Sequence, residues 1–398
     1  MGVECYRLCK ALAKKGVDIE FILPYTADHH NIDFMKVNAA HPQTVVEVTQ
    51  AGSYYDSFRY VDVHRANNDC RKGLATFSKL DLYGQVAMYE EAVGRIVQLA
   101  EFDVIHAHDW LTCRAAIRAK MISGKPLVIH IHSLESDRSG QIGGGNPLVR
   151  EIEALGLQLA DKIIAVSQVT KNNIIREYDI PAEKIEVVHN NLDVSALIPT
   201  SGDNAYTYLT QMKKDGYRVV VNVGRLTIQK GLSHLLESFA IACRYTPKAF
   251  LLIVGKGEQF QELIELAAQL GIGKQVIFTD FQRGKRWRDA FAIADLFVLP
   301  SPTEPFAITA LEAIGYGTPI LVSKETGVAE VICNALRVDF WDHNEMANKI
   351  AAVLQNDPLR DELHQNAYHE LEQMSYGDTT ADRLSSVYER QLAREMAA

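Results

Sequence analysis

Short apolar runs of β-branched residues, bounded by turn residues and separated by stretches of helical periodicity, recur along the chain and restrict it to parallel α/β architecture. In the first half they are VDIEFIL (17–23), DVIH (103–106), LVIHI (127–131), IIAV (163–166) and IEVV (185–188). Cys5, Leu8, Cys9 and Leu12 recur at helical spacing before the first run, and Ile152, Leu155, Leu159 and Ile163 do so further on. A polar stretch from Ser195 to Gly216, holding Pro199, Ser201, Gly202, Asp203 and Asn204, breaks the rhythm and reads as a linker over 196–216. The alternation then restarts with VVVNV (219–223), AFLLIV (249–254), VIF (276–278), LFVL (296–299) and PILV (319–322), and Leu232, Leu235, Leu236 and Phe239 mark an intervening helix. Two doubly wound, Rossmann-like domains follow, over 1–195 and 217–374, with a ligand expected in the cleft between them. From Ser375 onward, Tyr376, Leu384, Val387, Tyr388 and Leu392 fall near helical spacing, so 375–398 reads as a closing helix.

A length of 398 residues exceeds what one core usually organises and agrees with two domains. Apolar residues make up 47% and charged residues 23%, with no apolar run long enough to cross a bilayer. MGVECYRLCKALAKKG at the amino terminus has neither the continuous apolar core nor the cleavage site of a secretory signal. Cys5, Cys9, Cys70, Cys113, Cys243 and Cys333 have no CxxC spacing, which argues against a zinc or disulfide framework and for a cytoplasmic setting. A formal charge of −9 disfavours general affinity for nucleic acid, so any phosphate contact must be local.

The segment Glu304-Pro305-Phe306-Ala307-Ile308-Thr309-Ala310-Leu311-Glu312-Ala313 follows the run LFVLPS directly. Proline favours the first helical turn and glycine the end, so a helix is expected from near Pro305 to Gly315 or Gly317, with Glu304 at its mouth and Glu312 two turns on. A carboxylate there would repel phosphate, but it accepts paired hydrogen bonds from sugar diols. Gly224-Arg225-Leu226-Thr227-Ile228-Gln229-Lys230-Gly231 follows the first strand of the second domain. Two cations beside a strand-to-helix turn suit a diphosphate whose charge grows as its bond to a sugar breaks.

Together GRLTIQKG, GKG (255–257), EPFAITALEA and TGVAEVI (326–332) resemble the donor-domain signature of retaining GT-B glycosyltransferases of the glycogen-synthase-like group, glycosyltransferase family 4 type. HAHDW (106–110), HIHSLESDRSG (130–140) and HNNLD (189–193) look like that family's acceptor-domain landmarks. The resemblance implies a GT-B fold and a sugar, taken as glucose, moved from a UDP- or ADP-sugar to a glycan hydroxyl, with an α-glucan as the suggested acceptor. Arg225 and Lys230 would bind the diphosphate, Glu312 the ribose and Glu304 the transferred sugar, which His132 would meet from the opposite domain. Gly224, Gly255, Pro305, Phe306 and Ala307 would line the donor site, amides around Gly327, Val328 and Ala329 would cradle phosphate, and Phe281 with Gln282 would lie near the base. His108, Asp109, Trp110, Glu135 and Asp137 would shape the acceptor side. Ala307 stands where the family usually has glycine. The implied mechanism is front-face substitution with retention and no protein nucleophile, needing no cofactor or metal. The family also places a strand and a glycine-rich loop before the helix that begins here near Met1, so a first strand is expected to be missing, and it returns the closing helix to the first domain.

Other functions compete with this reading. His106 with His108, and His130 with His132, each sit two apart on a strand and could share a metal, but buried histidines are common and no supporting cysteine or carboxylate spacing appears. GKGEQF (255–260) carries Phe260 where a dinucleotide fingerprint needs glycine or alanine. Arg283, Lys285, Arg286 and Arg288 around Trp287 could touch anionic lipid, although a solvated loop is favoured. A sugar-nucleotide epimerase and a non-catalytic nucleotide-sugar-binding protein share the architecture.

Overall fold

A computed structural model describes residues 2–26, 32–45, 81–141, 143–200, 202–376 and 380–397; Cys70 lies outside them. The described strands are β1 (Glu20–Thr26), β2 (Lys36–Val45), β3 (Ile105–His108), β4 (Leu127–Ile131), β5 (Lys162–Ala165), β6 (Ile185–Val187), β7 (Arg218–Val223), β8 (Ala249–Val254), β9 (Val276–Thr279), β10 (Leu296–Leu299), β11 (Ile320–Ser323) and β12 (Leu336–Val338). All their pairings are parallel, and helices intervene along the chain, as α/β alternation requires.

The second domain carries a six-stranded sheet of order β12-β11-β10-β7-β8-β9. Alternate residues of β7 serve opposite cores: Val219, Val221 and Val223 pack on one face, and Val220 on the other with Leu232, Leu235, Leu236 and Phe239. The order reverses between β7 and β10, so the loops leaving their carboxyl ends diverge and open a crevice there. In the first domain β3-β4-β5-β6 form one sheet, and β1 and β2 pair with each other in another. One face of the larger sheet buries Leu127, Ile129 and Ile131. The other buries Val128 and Ile164 against Leu12 of the Gly2–Lys14 helix and against Ala381, Leu384 and Val387 of the Thr380–Ala397 helix.

Several local expectations are corrected. Thr207–Lys214 is a helix, not polar linker, because Leu209 is buried in the second-domain core. Ser375 and Tyr376 end the Asp357–Tyr376 helix, and the closing helix starts at Thr380. Leu155 and Leu159 are exposed; the helix Pro147–Leu159 buries Val149, Ile152, Glu153 and Gly156 instead. Gly156 decides this, since a Cβ there would lie 2.6 Å from Cys113 Sγ, and the helix uses that missing side chain to close on its neighbour. The first strand begins at Glu20, three residues later than read, because Gly16 at φ 84° turns the chain and Val17 and Ile19 pack beside Leu12.

Candidate active site

The site is assembled at the β7/β10 switch point. The loop after β7 turns through Gly231 in the left-handed region, at φ 63°, where a Cβ would strike the Pro300 carbonyl at 2.2 Å. That approach brings Lys230 to the loop after β10, where its Nζ meets Glu304 Oε2 at 2.5 Å, and Ser301 Oγ donates to the same oxygen at 3.2 Å. Both charged side chains are largely buried. Arg225 Nη2 donates to Gln229 Oε1 at 3.4 Å on the same turn. Gly224 and Gly255 lock two loops together: a Cβ on Gly255 would fall 1.8 Å from the Gly224 carbonyl, and Gly224 N–H donates to Val254 O at 3.0 Å. Gly255 therefore sets loop geometry. Phe281, 40% exposed just beyond β9, keeps a face open, with the Arg283 guanidinium 5.1 Å from its ring centre.

The helix expected from Pro305 starts at Ile308. Glu304 is instead extended and bridges Thr326, donating its N–H to Glu325 O and accepting from Gly327 N–H, both at 3.0 Å. Ala307 then reverses the path at φ 74°. Gly327 and Ala329 amides, expected in a phosphate cradle, are already used within the chain, donating to Glu304 O and Thr326 O. Pro305, Phe306 and Val328 are buried side chains of the second-domain wall.

The first domain touches this crevice at several points. Thr303 Oγ1 donates to Asp137 Oδ1 at 2.6 Å, and Arg7 Nη2 lies 3.3 Å from Glu312 Oε1. The Glu330 carboxylate accepts from the amides of Gln168 and Val169, at 2.8 and 2.9 Å, where the Gln168–Tyr178 helix begins, and His189 Nε2 lies 2.8 Å from it. Anion binding at a helix amino terminus is here done by the chain's own carboxylate.

Comparison with known proteins accounts for the two halves. Residues 1–196 match the Glycosyltransferase Family 4 model and residues 210–370 match Glycosyl transferases group 1. The chain is a GT-B glycosyltransferase built of these two domains. The uncharacterized glycosyltransferase MJ1607 of Methanocaldococcus jannaschii is 28% identical to it, covering 100% of this chain and 95% of that one. The D-inositol 3-phosphate glycosyltransferase of Salinispora tropica is 29% identical, over 96% and 80%. Among solved structures, sucrose-phosphate synthase from Thermosynechococcus elongatus superposes with a TM-score of 0.75 at 17% identity, over 98% of this chain and 93% of the other, which is a likeness of fold.

In this glycosyltransferase the acceptor-side residues behave differently from expectation. Asp109 and Trp110 are fully enclosed. Asp109, at φ 57°, accepts from His132 N–H at 2.7 Å and Ser133 N–H at 3.3 Å, so it positions the His132 loop and does not face a ligand. Trp110 packs in the core beside Tyr83. Glu135 is buried against Arg138 at 3.2 Å and caps Asn146 N–H at 2.9 Å, and Arg138 also pairs with Glu153 at 3.1 Å. Asp137 is buried and holds the Leu134 amide as well as Thr303. The resemblance implied an acceptor-facing role for them; the chain uses them as internal bolts. His108 and His132 remain half-buried, with His108 Nδ1 and His132 Nε2 3.0 Å apart.

Burial governs the titration of the site. It drives His132 well below the ordinary imidazole range, with His108 adding to the effect, and brings His108 down to about 4, so both rings are neutral. Glu312 is pushed up to about 7 by burial, opposed by Arg7. Burial also lifts Asp137 to about 6 and Glu153 to about 7. For Glu330 burial acts upward, but the hydrogen bonds from His189 and the two amides prevail and hold it below the usual carboxylate value. Sequence reading missed Arg7, Thr303 and Glu330. Glu330 lay inside TGVAEVI and Thr303 beside Glu304, but nothing in the spacing of Arg7 separates it from a surface cation.

Proposed function

We propose that the chain is a retaining, metal-independent glycosyltransferase that moves glucose from a UDP- or ADP-glucose donor to an acceptor hydroxyl. The observation that carries this reading is the Lys230–Glu304 pair at the switch point of the second domain, facing first-domain contacts through Thr303 and Asp137. Lys230 and Arg225 stabilise the negative charge that grows on the departing diphosphate, and Glu304 accepts hydrogen bonds from hydroxyls of the transferred sugar. Glu312 engages the ribose, Phe281 offers a face to the base, and neutral His132 contacts the sugar without placing a positive charge beside the reacting carbon. The acceptor oxygen attacks the anomeric carbon on the side from which the diphosphate leaves. As that carbon–oxygen bond breaks, its electron pair goes to the diphosphate, and a phosphate oxygen takes the acceptor proton. The protein supplies orientation and charge stabilisation.

An α-glucan is the acceptor that the family resemblance suggests, and the likeness to a D-inositol 3-phosphate glycosyltransferase adds a phosphorylated polyol. The test is incubation with a panel of nucleotide sugars and both acceptor classes, scoring nucleoside diphosphate release and the anomeric configuration of the product by NMR. Acceptor-dependent release, an α product from an α donor, and activity that survives a chelator are expected. Donor conversion without acceptor would favour an epimerase, an inverted product would remove the front-face mechanism, and binding without turnover would favour a non-catalytic protein.

A further inference from the structure

The first-domain face covered by the Gly2–Lys14 and Thr380–Ala397 helices ends in four imidazoles. His106 and His108 lie two apart on β3, His130 lies on β4 on the face that holds Val128, and His132 follows one residue past the end of β4. His108 and His130 are direct partners in the strand register. The rings form a stack, with centres 4.5 Å apart for His106 and His108, 4.4 Å for His130 and His132, and 5.3 Å for His108 and His130.

Core histidines satisfied by hydrogen bonds would be the ordinary explanation, and it fails at His130. That ring is 1% exposed and neither of its nitrogens has a partner among the described residues; Nε2 of His106 is buried and unpartnered too. An unpaired buried polar atom costs about 1–3 kcal/mol, so the chain retains these atoms against its own stability. His106 and His108 each have one nitrogen engaged: His106 Nδ1 lies 2.5 Å from Tyr388 Oη, and His108 Nδ1 lies 3.0 Å from His132 Nε2. Histidine ligands of metals characteristically hold their second nitrogen in this way, which fixes the ring and presents the opposite lone pair.

We propose that His106, His108 and His130 form a binding site for one divalent cation of borderline softness, such as Zn2+. One nitrogen from each lies within 4.8 Å of the other two. A tetrahedral ion with bonds of about 2.0–2.1 Å sets its ligand atoms about 3.4 Å apart, so each pair of ligand atoms must close by no more than about 1.4 Å to converge. Three imidazoles without a carboxylate favour Zn2+, Cu2+ or Ni2+ over Mg2+ or Ca2+. The ion is separate from the sugar-transfer chemistry and does not depend on its being correctly assigned. It reaches that chemistry only through His108, which holds His132.

The full chain, stripped with a chelator, should bind one equivalent of Zn2+ in calorimetry and gain thermal stability with it. Co2+ should give the intense visible bands of a tetrahedral site without a near-ultraviolet thiolate band. His106→Gln and His130→Asn should each weaken Zn2+ by more than the about tenfold that loss of even an outer partner costs. His106 is half-buried, so its variant carries the test if the His130 variant does not fold. His343→Ala serves as the control, because His343 lies 2.9 Å from His234 and 2.8 Å from Glu237 in a separate imidazole cluster. Absence of binding to the unaltered chain overturns the proposal, as does binding lost in His343→Ala but kept in His106→Gln. A thiolate band would place the ion on Cys5, His108 and His132, the other triad of this region, and overturn the ligand assignment.

Discussion

At the scale of single residues, the charges of the switch-point crevice are partnered before any ligand arrives. Lys230 is held by Glu304 and Arg225 leans on Gln229, so both cations are positioned at little further cost in side-chain entropy when a diphosphate enters. Lys230→Ala and Arg225→Ala should each lower kcat/KM by about 30- to 900-fold, or about 2–4 kcal/mol of transition-state stabilisation, with melting temperature little changed in Arg225→Ala and lowered in Lys230→Ala, which leaves Glu304 buried without its cation. Near-normal turnover in both would remove them from the diphosphate site. Glu312, at about 7, is half-protonated near neutral pH when the site is empty, and its ionised form is the better acceptor for ribose hydroxyls. Donor KM should therefore fall as pH rises from 6 through 8, and this slope should flatten in Glu312→Gln. The same shift has a stability sign: raised above the ordinary 4.5, Glu312 favours the fold most at low pH, and that contribution is lost as pH rises through about 7. Arg225 and Lys230 could be picked out of the sequence because they sit in a turn bounded by Gly224 and Gly231, and Glu304 because it follows the run LFVLPS and precedes Pro305. Arg7 could not, because its partner lies 305 positions away and only the packing of the first helix against the second domain joins them.

At the scale of elements, the start of the Ile308–Gly315 helix depends on a backbone conformation that its sequence disfavours. Ala307 occupies the left-handed region, where an L side chain costs about 1–2 kcal/mol, while glycine costs about 0.5–1 kcal/mol in chain entropy. Ala307→Gly should raise stability by about 0.5–1 kcal/mol in denaturant titration; destabilisation would mean that the buried methyl packs for more than the strain it brings. The departure from the family's glycine was visible in the sequence, whereas its meaning required the dihedral angle. Strands β4, β8 and β10 were read to the residue because each is buried on both faces, apolar throughout in β8 and β10 and interrupted only by His130 in β4. Strands β2 and β12 escaped notice, since KVNAAHPQTV carries polar residues throughout and LRV has only three. A further elemental contact is the Glu330 carboxylate on the first turn of the Gln168–Tyr178 helix. Glu330→Gln should cost about 1–2 kcal/mol at neutral pH by weakening two charge-assisted bonds. Because Glu330 sits below its ordinary 4.5, that stabilisation is complete above 4.5 and fades as pH falls through its depressed value, so variant and parent should converge in acid.

At the scale of the whole molecule, the two domains meet through discrete polar contacts, Thr303 with Asp137, Arg7 with Glu312, and Glu330 with the helix amides, and through Val166 and Leu192, which pack into the second-domain core. Relative motion is the default for two domains of one chain, and the donor reads as a second fastening across the same cleft. Solution scattering should record a smaller radius of gyration with saturating nucleotide sugar than without it, and Glu330→Gln should enlarge the ligand-free form. Identical profiles in all three states would count against closure. The tandem α/β architecture was legible because hydrophobic periodicity restarts after the polar break. The contacts between the domains were not, because each pairs residues far apart in sequence and chosen by shape.

The Thr380–Ala397 helix completes the first domain by covering Leu12, Val128, Ile164 and Val188, and Lys15 meets Asp382 at 2.5 Å. During synthesis, then, residues 1–195 leave the ribosome with one greasy flank uncovered and keep it so until the 380–397 helix has been made. The nascent first domain must wait, soluble but unfinished, while the second domain is made and folds behind it. Such a chain links quality control to distal translation: a product that stops short of residue 380 presents that bare flank to chaperones and proteases, and one that includes the closing helix hides it.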